Sequence, residues 1–477
     1  MKGKARQVLF HVIFSAMVPC ALLFQGGTAA AGCKSAWAEE SIGYEELDCQ
    51  LEEGTKKFHI PGMAVALVDS EEILFARTYG NCRDIDTPFI IGSLSKSFTA
   101  LAVMQLAEEQ KIDLDREISA YIDTSAYFVH GSEGDQITVR QLLNQTSGLG
   151  TYQRLGSARI TDSYGRHQYA NVNYGLLGKI IEAVSGKTYS EYMDENIFGT
   201  LGLEHTAATL AQSREKGLVK GYRNFFGIPV AGEPDYPREH ARSSVPAGYI
   251  SSSVSDMAKY LQMYLRGGQG IVRADSLNTM LYDGVYVEDG GYSYGMGWIL
   301  TEEFEEPVLC HSGLVENYMS YMLLLPERDL GMVFLINMND YLVANQLVNQ
   351  LRLNAIGFLL EKETQMVSGT PYLTGHFLLD GIYLALLAIA GYPAASLRKW
   401  KKRRRTKAGI AFDLARHGIL PMVLIFLPRM VGVPIGLVWY FVKDLSMVLL
   451  GSAVLLLAVG IYKICFGIYR SRCDQRA

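Results

Sequence analysis

The last hundred residues of this chain cannot share a solvent with the rest. Phe377 to Leu397 is a run of 21 residues with a single charge, Asp380, and two further apolar runs follow, Gly418 to Phe441 and Leu445 to Tyr469. Each is long enough to cross a hydrocarbon layer of ~30 Å. Between the first and second lies Arg398 to Lys407, with eight Lys or Arg in ten residues. Such a loop stays on the cytoplasmic side. The first run then passes from outside to inside, and whatever precedes it belongs outside the cytoplasm. Three crossings return the C-terminus to the inside, where Arg470, Arg472 and Arg476 obey the same rule. The second run is irregular, with Arg429 near its middle and Pro421, Pro428 and Pro434 within it. A charge at mid-bilayer costs roughly 2.5–3.5 kcal/mol on insertion scales. The expectation is a kinked or re-entrant segment whose arginine finds a partner or water; the alternative makes Arg429 part of a membrane site.

The N-terminus agrees with this topology. Lys2, Lys4 and Arg6 precede an apolar stretch from Val8 to Phe24, and Ala36-Trp37-Ala38 offers small residues at the cleavage-determining positions before Glu39. Residues 1–38 therefore read as a secretory signal, with an uncleaved anchor helix as the alternative. Lipidation at Cys33 is disfavoured, because Ala30-Ala31-Gly32 lacks the large aliphatic residue that modification requires. The formal net charge of -5 gives no reason to expect a nucleic-acid partner. Seven cysteines show neither a CxxC pair nor metal-ligand spacing, so no metal or cofactor is expected. A Cys49–Cys82 disulfide stays open.

Residues 39–361 read as one soluble α+β domain, joined by a polar link, 362–376, to the membrane region, 377–477. A helix from Tyr44 to Phe58 leads to two short strands, Met63 to Val68 and Ile73 to Arg77, separated by a polar turn, which is a hairpin by length and composition. A long, mostly helical and loop-rich middle runs from Leu114 to about Gly268. Strand-like runs return at Tyr294 to Leu300, Val308 to Cys310, Tyr318 to Leu325 and Gly331 to Ile336, and a helix from Tyr341 to Leu360 closes the domain. Strands early and late with helices between imply one antiparallel sheet flanked by helices, with an inserted helical lobe.

The chemistry centres on Gly92-Ser93-Leu94-Ser95-Lys96. On a helix, residues three apart share a face, so Ser93 and Lys96 stand together. A serine hydroxyl is a weak nucleophile until a base takes its proton, and a lysine can be that base once burial lowers its pKa. Free N–H groups at the helix start can face a developing oxyanion. Ser-x-x-Lys also occurs at Ser213/Lys216 and Ser396/Lys399, in a charged segment and beside the basic run. The first site is preferred for its Gly92, its apolar helix from Phe98 to Ala107, and its partners.

Those partners are Tyr169-Ala170-Asn171, ahead of a helical pattern, and His311-Ser312-Gly313, the chain's single His-x-Gly. A tyrosine beside a lysine can share in proton transfer, since positive neighbours favour phenolate. An asparagine can orient the lysine and a substrate amide. A glycine on a strand lets substrate approach the backbone. Tyr-x-Asn recurs at Tyr222/Asn224, and a lone histidine at a strand end is more often structural. No His-Glu-x-x-His or phosphate-loop pattern occurs.

The ordered set of Ser-x-x-Lys, Tyr-x-Asn and His-x-Gly resembles the serine β-lactamase/penicillin-binding protein family, in its class C β-lactamase and D-alanyl-D-alanine carboxypeptidase-like branch. Ile60-Pro61-Gly62, Phe89 to Thr99, Leu142 to Leu149 and Pro246 to Ala258 add to the resemblance, which covers roughly residues 40–360. It implies Ser93 as the acylated nucleophile, Lys96 as its base and Tyr169 as the acid/base for leaving group and water. It further implies that Asn171 contacts the substrate amide and that His311, Ser312 and Gly313 line the strand side of the cleft. The backbone N–H groups of Ser93 and Leu314 would form the oxyanion hole. Class C enzymes usually carry Lys-Thr-Gly where this chain has His-Ser-Gly, a variant that resembles some DD-peptidases, esterases and D-amino-acid peptidases. Gln145 stands where many relatives have histidine, and the membrane tail has no counterpart in soluble members. The expectation is a membrane-anchored, extracytoplasmic serine hydrolase acting on small-molecule, peptide or cell-wall substrates. The rival readings are a ligand-binding or acylated sensor that signals through its spans, and an esterase for small esters. The sequence leaves the oligomeric state open.

Overall fold

The computed structural model describes residues 44–474, apart from 130, 238–243, 363, 365–366, 403–405 and 431. The signal reading over 1–38 lies outside the described residues.

The scaffold is an eight-stranded antiparallel sheet. Its strands, in chain order, are β1 (Gly62–Val68), β2 (Ile73–Gly80), β3 (Val285–Val287), β4 (Tyr292–Gly295), β5 (Trp298–Glu303), β6 (Glu306–Leu314), β7 (Met319–Leu325) and β8 (Leu330–Ile336). They lie side by side in the order β2-β1-β8-β7-β6-β5-β4-β3. Successive side chains of a strand point to opposite faces, and here both faces are covered. Ala64, Ala66 and Val68 of β1 join one apolar core, while Met63, Val65 and Leu67 join the other. That is why β1 is an unbroken apolar run. One face receives α1 (Glu45–Lys57) and α5 (Ala344–Leu359). The other receives α2 (Ser95–Glu108), α3 (Asn171–Ser185) and α4 (Val254–Leu265). Phe98 of α2 stacks on Tyr260 of α4 with ring centroids 3.7 Å apart.

Two local readings need correction, and one left open has its answer. The run Tyr294 to Leu300 is two strands, β4 and β5, because Met296 and Gly297 turn the chain at φ +44° and +87°. The middle contains a hairpin, Gly221–Phe225 with Ile228–Gly232, whose first strand also pairs in parallel with Met338–Asn339. Cys49 and Cys82 are not joined by a disulfide.

Beyond α5 come α6 (Thr370–Ala395), α7 (Lys407–Met430), α8 (Ile435–Phe441) and α9 (Lys443–Asp474). Among the described residues, three helices are long and apolar enough to cross a membrane: Thr370–Ala395, Lys407–Met430 and Lys443–Tyr469. The apolar run 418–441 is therefore not one helix. It divides between the end of α7 and the short α8, with Pro434 capping the latter. Arg429 falls in the last turn of α7 rather than at mid-span, and it is exposed.

The apolar helices meet the sheet domain at one end only. Near the start of α6, His376 Nε2 lies 2.9 Å from Asp340 Oδ2, and the Tyr372 hydroxyl accepts from Asn224 Nδ2 at 3.3 Å. At the start of α9, Asp444 accepts the backbone N–H of Phe226 at 3.3 Å. At the far end, Asp413 accepts from Lys463 Nζ at 2.5 Å and from the Trp400 indole at 2.8 Å.

Candidate active site

The serine is held in a turn fastened on two sides. Phe89 and Ile90 pair with Ser252 and Ser251, and the N–H of Ile91 donates to Ile250 O at 2.9 Å. Ser320 of β7 donates to Ile91 O at 2.7 Å. Gly92 then turns at φ +55°, where a side chain is disfavoured, and a Cβ on it would lie 2.6 Å from Leu314 N. Glycine here brings the turn directly against the end of β6. Gly313 is equally constrained, because a Cβ there would collide with Ile91 O and Ser320 Oγ. The backbone N–H of Leu314, expected with that of Ser93 to form an oxyanion hole, therefore lies against the turn that carries the serine. Ser93 occupies a 3₁₀ turn, Gly92–Leu94, that runs into α2, and it keeps partial exposure.

Lys96 lies one turn further on and is fully buried. Its Nζ is 2.9 Å from Ser93 Oγ, 2.8 Å from Asn171 Oδ1 and 2.6 Å from Ala247 O. Burial holds the amine well below the usual lysine range. A neutral amine has two N–H donors and one lone pair. The Asn171 and Ala247 oxygens can only accept, so they take the two donors. The lone pair is left to Ser93, which is the arrangement a general base needs. The amine also lies 4.8 Å from the centre of the Tyr169 ring.

The Tyr169 hydroxyl donates to Ser93 Oγ at 2.9 Å. Burial is the chief influence on this phenol and pushes its pKa well above the usual range, so it is a neutral acid.

His311 is buried on β6, with its ring 6.3 Å from Tyr169 and 6.0 Å from Tyr294. Its Nδ1 lies 2.7 Å from Ser312 O, so Nδ1 carries the proton. Its Nε2 finds no hydrogen-bond partner among the described residues. Burial, the chief cause, lowers its pKa to about 3, so it is neutral. Ser312 is exposed on the strand, while its carbonyl fixes the His311 tautomer.

Two contributors escaped the sequence reading. The Ala247 carbonyl, in the short helix Val245–Gly248, holds the lysine. Gln145, at φ +60° and fully buried, accepts the N–H of Ala170 at 2.9 Å through its side chain, and its own carbonyl accepts from Gln168 N at 2.8 Å. Asn173 of α3 also donates to Gln145 Oε1, and Ser147 Oγ donates to Asn173 Oδ1 at 2.6 Å. Gln145 is thus the peg on which Tyr169 to Asn171 hangs. Its place within Leu142 to Leu149 was the available signal.

Comparison with known proteins agrees with this geometry. The family model described as Beta-lactamase matches residues 47–355. Protein flp of Staphylococcus aureus is 26% identical over 383 residues, covering 72% of this chain and 74% of that protein. Beta-lactamase-like protein 2 of Dictyostelium discoideum is 24% identical over 327 residues, 61% of this chain and 58% of that protein. Among solved structures, the octameric penicillin-binding protein homologue from Pyrococcus abyssi superposes with a TM-score of 0.57 at 26% identity, covering 67% of this chain and 78% of that one. A D-stereospecific amidohydrolase from Streptomyces sp. superposes at 0.50 with 20% identity, over 62% of this chain and 94% of that one, a likeness of fold.

Proposed function

Because the chain belongs to the beta-lactamase family, we propose that it is a membrane-anchored serine hydrolase that cleaves an amide or ester through an acyl-enzyme, with its catalytic domain outside the cytoplasm. One observation carries the reading. Ser93 Oγ lies 2.9 Å from a buried lysine amine and 2.9 Å from a neutral phenol, so it has a base and an acid at hand together.

The chemistry follows from those two contacts. Lys96 Nζ takes the Ser93 proton as Oγ bonds to the substrate carbonyl carbon, and the N–H groups of Ser93 and Leu314 receive the oxyanion. Tyr169 protonates the departing oxygen or nitrogen as its bond to carbon breaks, and the proton held by Lys96 restores the phenol. The net change is an acylated Ser93 and a protonated leaving group. A water molecule then attacks the ester, giving its proton to the same pair, and Ser93 leaves with a proton as the free acid forms. Asn171 holds Lys96 and offers its amide to the substrate. His311, Ser312 and Gly313 form the β6 side of the cleft. D-amino-acid-containing wall material or β-lactam-like compounds, with small esters as the alternative, are the substrates this site would take.

A sensor is the second reading, favoured by the direct seating of the apolar helices on the catalytic domain. Labelling membranes with a fluorescent β-lactam, wild type beside Ser93→Ala and with a chase, separates these readings. A Ser93-dependent band that clears indicates a hydrolase of β-lactams, and one that persists indicates a penicillin-binding protein or sensor. Absence of a band, with Ser93-dependent turnover of a p-nitrophenyl ester, indicates an esterase or peptidase. Loss of both overturns the proposal. A reporter fused after Lys407 should read cytoplasm; an outside signal there would reverse the topology.

A further inference from the structure

The membrane region puts one side chain into the catalytic domain beside the active site. Tyr440, at the end of α8, donates its hydroxyl to Glu316 Oε2, and its oxygen lies against the Tyr249 hydroxyl. Glu316 is buried, with its side chain at 0% exposure. It also accepts from the Tyr249 hydroxyl at 3.0 Å and from the backbone N–H of Asp235, while Arg223 approaches no nearer than 4.0 Å. A carboxylate in such a place depends on its hydrogen-bond donors, because burial without them is costly. One of those donors comes from the membrane region.

Both groups that Tyr440 touches lead to the chemistry. Glu316 lies two residues beyond Leu314, the oxyanion donor, in the turn from β6 to β7 that is pinned by Val315 N donating to Tyr318 O at 3.0 Å. Tyr249 lies two residues beyond Ala247, whose carbonyl holds Lys96, and its N–H closes the same short helix on Val245 O at 3.2 Å. We infer that Tyr440 is a positioning residue for the active site: through Glu316 and Tyr249 it sets the oxyanion donor and the lysine acceptor, so full activity requires α8 seated on the catalytic domain. This inference rests on the serine hydrolase reading.

The test uses the full chain in lipid nanodiscs, with a fluorophosphonate probe and a p-nitrophenyl ester. Tyr440→Phe removes only the hydroxyl. Its labelling rate and kcat should fall about tenfold, the scale of one buried hydrogen bond to a charged group, with KM within about twofold. Glu316→Gln should fall comparably, and the double variant should be little worse than either single one, since both cut one connection. A merely structural tyrosine would lower the melting temperature or active fraction and leave kcat per labelled site unchanged. Wild-type kcat in Tyr440→Phe, or multiplicative losses in the double variant, would overturn the inference while leaving the reading of Ser93 intact. If Tyr440→Phe does not fold, Tyr249→Phe, altered within the catalytic domain itself, must show the same fall in kcat or the inference fails. Wild-type protein that neither labels nor turns over, like Ser93→Ala beside it, removes the hydrolase reading and this inference with it.

Discussion

Gln145 Oε1 accepts the backbone N–H of Ala170 at 2.9 Å, and Ala170 is the residue between the two side chains, Tyr169 and Asn171, that reach the Ser93–Lys96 pair. A buried amide that touches no reacting atom thereby fixes the position of two that do. Gln145→Ala should reduce kcat about 10- to 100-fold, the range for leaving buried polar partners unmade, with KM little changed. Steady-state kinetics on an ester checks this, and an unchanged kcat would remove Gln145 from the site.

The depressed pKa of Lys96 has a signed consequence for pH. The lysine must be neutral to act, so acylation falls as pH drops through its folded-state pKa, well below the ordinary 10.5. The base limb should therefore lie well below pH 10.5. The same shift acts on stability: between the folded and unfolded pKa values the unfolded chain binds more protons, so stability should rise with pH through that window. Pre-steady-state acylation and thermal melts across pH test both. An acylation limb near 10 would mean a solvated lysine. Lys96→Arg, which cannot deprotonate, should lose at least ~10²-fold in acylation.

His311 makes a different pH prediction. Its pKa of about 3 leaves it neutral over the working range. No titration near 6.5 should appear in kcat/KM, and imidazole NMR should find the ring uncharged at pH 5. A neutral ring also offers no charge to a substrate carboxylate. His311→Lys should therefore improve capture of carboxylate-bearing β-lactams relative to neutral esters; an equal effect on both classes would argue against that role.

The close approach of Gly92 to β6 can be tested by a single methyl group. Gly92→Ala places a Cβ 2.6 Å from Leu314 N and strains a backbone at φ +55°. The turn must move away from Leu314, so acylation should fall by ~10²–10³, the cost of one lost oxyanion donor. Labelling with a fluorophosphonate, normalised to folded protein, measures this. Wild-type labelling would place the oxyanion elsewhere.

The legible parts of this chain are those whose side chains carry the signal. Ser93 and Lys96 stood out because a three-residue spacing on a helix is itself geometry, and β1 and β2 because two short apolar runs flank a polar turn. The Ala247 contribution is a carbonyl, which every residue has, so nothing in the sequence marks it. The split between β4 and β5 depends on Met296 at φ +44°, a conformation that non-glycine residues rarely adopt. The hairpin Gly221–Gly232 is mostly polar or exposed, leaving little alternation to read. Tyr440 is one of 28 tyrosines, set in an apolar run that reads as span, and its polar partners come from distant sequence. Neutral Tyr169 and His311 follow from burial, which a linear pattern does not give.

The contacts that His376, Tyr440 and Asp444 make with the sheet domain come from α6, α8 and α9 of the apolar C-terminal region. A catalytic domain on a loose leash sweeps a hemisphere and meets solutes in three dimensions. On the proposed membrane topology, one gripped at three points keeps a fixed height and tilt, and its cleft travels with the bilayer as a reader travels with its track. Encounter then becomes a matter of lateral diffusion, and selection begins with which bonds are presented at that height.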